Sequence, residues 1–130
     1  MIVEELIGGE VGTCSPDTTL KDAAAQMVES DVGSLVVMDN GKLAGIVTER
    51  DLVRSMAEGV RADRTAVEAV MTPRPDSIAP DVEVEEAAQW MMAAGYRHMP
   101  VMTNDRLVGV VSIKDLLWAI SESRLPSTEM

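Results

Sequence analysis

Apolar residues recur at helical spacing in two stretches of the chain, and two short apolar runs follow each stretch. The first stretch keeps Leu20, Ala23, Ala24, Met27 and Val28 on one face, and the second keeps Val84, Ala87, Ala88, Met91 and Met92. Apolar runs at 34–38 and 42–47 flank a turn that contains Asn40, and runs at 99–102 and 106–111 flank Asn104. The pattern therefore predicts two long helices, each followed by a β-hairpin.

Shorter elements are predicted around each helix and hairpin. We expect short opening helices at 3–7 and 66–71, short strands at 10–14 and 77–78, and closing helices that begin near Glu49 and Ile113. Thr19 is predicted to cap the first long helix, with the acid Asp22 three positions later in a variant of the capping box. Each half is thus read as a β-α-β-β-α unit with an opening helix.

The whole series of elements occurs twice, 64 positions apart and without a gap. Val3-Glu4 recurs as Val67-Glu68, Pro16-Asp17 as Pro80-Asp81, and Asp51-Leu52 as Asp115-Leu116. Such a repeat indicates one supersecondary unit that is used twice. We expect a first repeat at 1–58, a polar linker at 59–64, a second repeat at 65–124 and a frayed tail at 125–130. Because each copy alone is small, the two are expected to bury their apolar faces against each other in one compact module.

Composition and charge narrow the classes of function. The 130 residues are 46% hydrophobic, and 22 acidic against 11 basic residues give a formal charge of −11, which disfavours nucleic acid as a partner. Ten methionines are expected to fill the core rather than to hold a metal. Cys14 is the sole cysteine and His98 the sole histidine, so we expect neither an internal disulfide nor a zinc site. With no signal peptide or membrane-spanning run in the sequence, a cytoplasmic location is expected.

Two related polar segments stand out, Gly45 to Asp51 and Gly109 to Asp115. Both read Gly, two apolar residues, Thr or Ser, two variable residues, and Asp. The hydroxyl of Thr48 or Ser112 is predicted to fall where a strand gives way to a helix, and the carboxylate lies one turn later. A helix start favours an anion, a hydroxyl there can bind a phosphate or sugar oxygen, and the carboxylate can accept from the vicinal hydroxyls of a ribose.

Each part of these segments also has a purely structural interpretation. Thr48 and Ser112 are good helix caps, and Asp51 and Asp115 would favour the helix dipole from the first turn. The duplication of the pattern within a larger repeat favours a pair of related sites over capping alone.

On these residues the sequence resembles a tandem pair of CBS domains, the regulatory modules named after cystathionine β-synthase. The resemblance covers nearly the whole chain and also rests on the two Pro-Asp pairs and on the segment 95–101. It implies a mixed α/β (α+β) fold in which two repeats pack with pseudo-twofold symmetry, known as a Bateman module. It further implies ligand sites in the clefts between the repeats, and association as a homodimer.

The resemblance also implies roles for individual residues. In nucleotide-binding relatives the Asp holds the ribose hydroxyls, and the Thr or Ser contacts ribose or phosphate. The short first strand lies beside the adenine, and basic residues before the apolar strand reach the phosphates. The second copy has basic residues at that place, whereas the first has Gly33 and Ser34. The ligand-binding candidates are therefore Thr13, Thr48, Asp51, Ser77, Ile78, Arg97, His98, Ser112 and Asp115, with Gly12 and Cys14 also beside the adenine.

No nucleophile and base pair, P-loop or dinucleotide fingerprint is visible, so we expect no enzyme, no catalytic cofactor and no metal. The leading hypothesis is a stand-alone sensor of AMP, ADP, ATP or S-adenosylmethionine that signals to an unidentified regulated protein. The alternative is a dimerisation or protein-interaction module with empty sites; a third possibility is Mg-ATP. The closing helices, with Leu116, Leu117 and Trp118, are the predicted dimer surface, although Trp118 has a competing role as a staple to the opening helix.

Overall fold

The computed structural model describes residues 1–8 and 11–123, apart from the side chain of Ser123. Within this range the chain forms two compact units, one comprising Glu10–Asp76 and the other Met1–Gly9 with Ser77–Met130, as far as each is described. We call them the 10–76 unit and the 77–123 unit. The predicted tail at 125–130 lies outside the described residues.

The 10–76 unit is a small sheet with two helices. Its elements are β1 (Thr13–Cys14), α1 (Leu20–Ser30), β2 (Ser34–Asp39), β3 (Lys42–Thr48), α2 (Glu49–Ala57), a 3₁₀ turn (Val67–Ala69) and β4 (Thr72–Pro73). The strand order is β1-β2-β3-β4, with β1 parallel to β2 and the other pairs antiparallel. The core lies between this sheet and α1, and its fully or nearly buried side chains are Leu20, Ala23, Met27, Leu35, Val37, Val47 and Val67.

The 77–123 unit repeats this plan with fewer paired strands. It contains a 3₁₀ turn at Val3–Leu6, α3 (Val84–Ala94), β5 (His98–Thr103), β6 (Arg106–Ser112) and α4 (Ile113–Ser123). An isolated parallel bridge joins Ile78 to Val101, at the place where β1 meets β2 in the other unit. Its core contains Val3, Ile78, Val84, Ala87, Ala88, Met91, Met99, Val101, Val111, Leu116 and Ala119. The predicted mixed fold of two repeated helix-and-hairpin units is confirmed.

The helix ends follow from local sequence. The Thr19 side chain accepts a hydrogen bond from the backbone N–H of Asp22 at 3.1 Å, so the predicted cap of α1 is confirmed. Both long helices end on a left-handed residue, Asp31 with φ 54° after α1 and Gly95 with φ 77° after α3. Glycine adopts this conformation without steric cost, whereas aspartate does not.

The two opening segments are exchanged between the repeats, which the sequence did not predict. The N–H of Val3 donates to the carbonyl of Val82 at 2.8 Å, although these residues belong to different repeats. In the other unit the N–H of Val67 donates to the carbonyl of Thr18 at 2.8 Å. Both pairs become equivalent after a shift of 64 positions. The compact units are therefore divided differently from the expected sequence repeats, whose boundaries at 1–58 and 65–124 stay a prediction.

Two details of the predicted elements need correction. Leu116 was placed on the exposed face of a closing helix, but its side chain is fully buried in the core, whereas Leu117 and Trp118 are 44% and 67% exposed. The strand β4 at Thr72–Pro73 was not predicted at all. It pairs with Gly45 and Ile46 at the outer side of β3.

Candidate functional site

In the 10–76 unit the candidate residues gather where β2 begins and β3 ends. Ser34 pairs with Thr48 across these strands, and the N–H of Glu49 donates to the carbonyl of Gly33 at 2.9 Å. On the other side of β2, Thr13 pairs with Val36. From the usual strand spacings, the Cα atoms of Thr13 and Thr48 are separated by about 12 Å, which is the scale of a nucleoside with its contacting side chains.

Thr48 and Asp51 form a complete capping box at the start of α2. The Asp51 carboxylate accepts from the backbone N–H of Thr48 at 2.9 Å and from its hydroxyl at 3.1 Å, and the N–H of Asp51 donates to the hydroxyl oxygen at 3.3 Å. The Arg54 guanidinium lies 3.4 Å from the second carboxylate oxygen, and the Asp51 side chain is 13% exposed. The structural interpretation of this pair thus holds. Since a carboxylate offers about four acceptor positions, capping leaves acceptor capacity for a ligand.

The 77–123 unit places its candidate residues in the same arrangement. His98 pairs with Ser112, and the N–H of Ile113 donates to the carbonyl of Arg97 at 2.9 Å. The Ser112 hydroxyl accepts from the N–H of Asp115 at 3.0 Å, which caps α4. Asp115 and Arg97 are both exposed, and His98 is half-buried. A cation, a capping hydroxyl and a carboxylate therefore lie around one helix start, within a single unit.

The residues expected beside the adenine differ in how far their side chains are exposed. The Ile78 side chain is 2% exposed and belongs to the core, and its backbone bonds to Pro100 and Met102 at 3.0 Å each. Ser77 is exposed. Thr13 is also exposed, and its carbonyl accepts from the side-chain amide of Gln26 at 2.9 Å. Sequence reasoning missed Gln26, because nothing in a helical pattern reveals which polar residue faces a neighbouring strand.

Cys14 is half-buried on β1. Burial raises the pKa of the Cys14 thiol above its ordinary value, against the smaller, opposite effect of a hydrogen bond with the Thr18 side chain. A raised pKa lowers the thiolate fraction at neutral pH, so the environment favours packing over reactivity.

The repeated glycine of each polar segment has a packing role. A Cβ built on Gly109 would lie 2.5 Å from Cγ2 of Ile7, and a Cβ on Gly45 would lie 2.8 Å from the carbonyl oxygen of Thr72, with the Met71 side chain also in the way. Ile7 and Met71 are equivalent residues 64 positions apart, each just after an opening segment. The glycines therefore give room for the exchanged opening segments rather than for a ligand.

Glu49 is a residue of this region that sequence reasoning missed. A Cβ built on Gly33 would lie 3.2 Å from Oε1 of Glu49, so the carboxylate lies against the backbone at this point. The repeat could have drawn attention to this residue, because Glu49 corresponds to Ile113 and Gly33 to Arg97, so the charge differs at both positions.

The described residues hold neither a metal-binding cluster nor a membrane-spanning helix. Across residues 1–8 and 11–123, no three His, Cys, Asp or Glu side chains gather in a way that could hold a metal ion. No helix in the same ranges is long and apolar enough to cross a membrane.

Comparison with known sequences identifies the family. The sequence model of the CBS domain matches residues 3–58 and 67–122. The chain therefore belongs to the CBS-domain family and carries two CBS domains. It is 37% identical over 120 residues to an uncharacterised 17.7 kDa protein of Acidianus ambivalens, covering 91% of this chain and 72% of that protein. It is 35% identical over 115 residues to the CBS domain-containing protein YhcV of Bacillus subtilis, covering 88% and 81%.

Solved structures share the fold. A putative signal-transduction protein with CBS domains from Burkholderia ambifaria superimposes with a TM-score of 0.88 at 27% identity, covering 99% of this chain and 100% of that one. A CBS domain protein from Pyrobaculum aerophilum, complexed with AMP, gives 0.82 at 23% identity, covering 94% and 99%. The CBS domain pair of protein MJ0100, in complex with 5-methylthioadenosine and S-adenosyl-L-methionine, gives 0.85 at 22% identity, covering 95% and 98%.

Proposed function

We propose that this chain is a regulatory module that senses an adenosine compound, with the site of the second repeat as its main nucleotide site. The observation that carries the proposal is the gathering of Arg97, Ser112 and Asp115 around the start of α4. The backbone bond from Ile113 to Arg97 fixes the base of the arginine side chain beside the helix start. Asp115 would hold the ribose hydroxyls, Ser112 the ribose or phosphate, and Arg97 the phosphate.

Charge and hydrogen bonding support these roles. A guanidinium binds phosphate in a fixed, bidentate geometry, and the positive end of a helix dipole favours the same anion. Charge-assisted hydrogen bonds contribute on the order of 1.5–3 kcal/mol each. One phosphate clamp, a ribose–carboxylate pair and partial burial of the adenine would give a binding free energy of about −8 kcal/mol, or roughly micromolar affinity.

The ligands of the structural neighbours are consistent with the proposal. The Pyrobaculum protein holds AMP, and the MJ0100 pair holds two adenosine compounds. At 23% and 22% identity these likenesses concern the fold, so the assignment here depends on the residues of this chain. We propose AMP, ADP, ATP or S-adenosylmethionine as the class of ligand.

A sensor also needs a way to pass on the binding event. A ligand shifts a conformational equilibrium only as far as its affinity differs between the states. We propose that ligand binding favours one arrangement of a homodimer and that a separate regulated protein responds to it. No catalytic step is part of this proposal.

Thermal-shift and calorimetric titrations with AMP, ADP, ATP, S-adenosylmethionine and NAD test the proposal. A compound that binds the folded state alone raises the melting temperature. We expect a rise with at least one adenosine compound, and a rise with AMP, ADP or ATP should be lost when Asp115→Ala is combined with Arg97→Ala. Arg106→Ala is the matched control, because it removes the same charge at the far end of the same hairpin, where Arg106 pairs with Thr103. An equal loss in that control, or no shift with any compound at millimolar concentration, would contradict the proposal.

The exposed apolar residues of the closing helices favour a second candidate function, an interaction module with empty sites. Val53 and Met56 on α2 are 65% and 74% exposed, and Leu117 and Trp118 on α4 are 44% and 67% exposed. This candidate function predicts self-association that depends on these residues and does not respond to any nucleotide. Sedimentation measures it.

A further inference from the structure

The two candidate sites differ in charge at two equivalent positions. In the 10–76 unit the start of α2 is joined to Gly33 by the Glu49 N–H, and in the 77–123 unit the start of α4 is joined to Arg97 by the Ile113 N–H, each at 2.9 Å. The equal bonds show that residues 33 and 97 have the same place relative to the following helix. The first repeat thus has no cation where the second has one, and a carboxylate where the second has an isoleucine.

Nearby charges do not remove this difference. Arg50 corresponds to Lys114, and Asp51 to Asp115, so these positions carry the same charge in both repeats. Arg54 corresponds to Trp118 and adds a cation to the first repeat, but its guanidinium lies 3.4 Å from Asp51 and offsets that carboxylate. Within the helix start itself, Glu49 is therefore the charge that distinguishes the first site.

The position of Glu49 matters because it lies where a phosphate would be drawn. Its Oε1 is 3.2 Å from the point at which a side chain on residue 33 would begin, so the carboxylate covers the place from which Arg97 starts in the other repeat. As the first residue of α2, Glu49 also supplies the negative charge that favours a helix N-terminus. A phosphate at this position would be repelled by the Glu49 carboxylate instead of being attracted by the positive end of the helix dipole.

We infer that Glu49 is a specificity-determining residue, which makes the first-repeat site reject phosphorylated adenosine compounds. That site then takes an uncharged or cationic adenosine compound, such as a nucleoside, thioether or sulfonium, while the second-repeat site takes a phosphorylated one. The inference rests on the proposed function, since it assumes that both sites accept adenosine.

Calorimetric titration with adenosine and with AMP, which differ by the phosphate alone, tests the inference. The variant Arg97→Ala/Asp115→Ala silences the second site, so the first site is measured by itself. In this background we expect AMP to bind about tenfold or more weakly than adenosine, the size that Coulomb's law gives for a doubly charged phosphate several ångströms from an exposed carboxylate. Glu49→Gln removes the charge at nearly constant shape and should bring the two affinities together.

A transplant of the second-repeat residues gives the opposite test. Gly33→Arg with Glu49→Ile copies Arg97 and Ile113 into the first repeat, and AMP should then bind more tightly than adenosine. Glu58→Gln is the control for Glu49→Gln, because it removes an exposed acid at the C-terminal end of the same helix and changes the net charge of −11 by the same amount. The AMP-to-adenosine ratio should stay unchanged in that control.

The outcomes separate this inference from the function on which it rests. If the unaltered protein binds AMP but the silenced background binds neither compound, or binds both equally, the inference is wrong and the sensor proposal stands. The inference is also wrong if Glu49→Gln leaves the ratio as it was, or if Glu58→Gln changes it as much. If the unaltered protein binds neither compound, the inference is wrong, and the proposed function fails with it only if ADP, ATP and S-adenosylmethionine do not bind either.

Discussion

The adjacent leucines of α4 provide a quantitative test of the structure. Leu116 is fully buried in the core of the 77–123 unit, whereas Leu117 is 44% exposed. Replacing leucine by alanine removes three carbon groups, each contributing about 0.8 kcal/mol when fully buried, so the transfer contribution at Leu116 is about 2.4 kcal/mol. The cavity left in a close-packed core raises the expected loss to about 3–4 kcal/mol.

The same calculation gives a smaller loss for Leu117→Ala. Since 44% of that side chain is already exposed, slightly more than half of the transfer contribution applies, or about 1.3 kcal/mol, with no closed cavity to add. The two variants have the same composition and neighbouring positions, so helix propensity cancels between them. The expected difference of about 2 kcal/mol in the free energy of unfolding therefore reports burial alone.

Urea and thermal denaturation, both followed by far-ultraviolet circular dichroism, measure the free energy of unfolding and the melting temperature of both variants. At this chain length we expect Leu116→Ala to lower the melting temperature by about 10–15 °C and Leu117→Ala by about 5 °C. Each variant is measured at two protein concentrations, because a loss at Leu117 that depends on concentration would come from self-association. A loss below about 1 kcal/mol for Leu116→Ala, or equal concentration-independent losses for both, would refute the burial assigned to α4.

Three further changes test local features of the 10–76 unit. Gly45→Ala should destabilise it by about 2–3 kcal/mol, since the new Cβ would lie 2.8 Å from the backbone oxygen of Thr72, which cannot rotate away; a loss below about 0.5 kcal/mol in urea denaturation would contradict this. Asp31→Gly should raise stability by about 0.5–1 kcal/mol, because φ is 54° there, and a lower melting temperature would count against it. Thr48→Ala should cost about 1–2 kcal/mol by removing the cap of α2, whereas Thr48→Ser should retain most of the stability; equal losses would show that the hydroxyl is not the cause.

Local periodicity was enough to predict most of the fold. The helices at 20–30 and 84–94 and both hairpins follow from apolar spacing and from turn residues, which act within a few positions of each other. The strand at Thr72–Pro73 could not be found in this way. It is two residues long, includes a proline, and exists because the edge of β3 is available to pair with it.

The burial of Leu116 shows where periodicity stops being sufficient. Leu116 and Leu117 are both leucines in the same helix, and only the direction of the core decides which one is covered. A pattern that contains apolar residues on adjacent positions allows either phase, so the sequence could not choose between them. The choice is made by the tertiary packing of α3 against α4, for which the sequence carries no local signal.

The candidate site was predictable in composition but not in detail. Duplication marked Thr48, Asp51, Ser112 and Asp115 as a set, and the structure places each pair at a helix start. Their ligand roles stay a prediction. What duplication alone did not reveal was the contact between Glu49 and Gly33, because these residues are 16 positions apart and meet through the pairing of β2 with β3.

Each repeated motif contains a glycine as well as a hydroxyl and a carboxylate, and the exchange of the opening segments explains the glycine. Ile7 lies over Gly109 and Met71 over Gly45, although each belongs to the other repeat. Since the two copies offer equivalent docking positions, the sequence of one repeat does not by itself specify which copy receives its opening segment. The chain between α2 and the Val67–Ala69 turn is short, and residues 62 and 65 bond to the start of α1. This tether holds the second opening segment on the first repeat and leaves Val84 and its neighbours to receive residues 1–7. The motif glycine thus belongs to assembly of the fold, whereas the ligand role of the hydroxyl and the carboxylate that follow it stays a prediction.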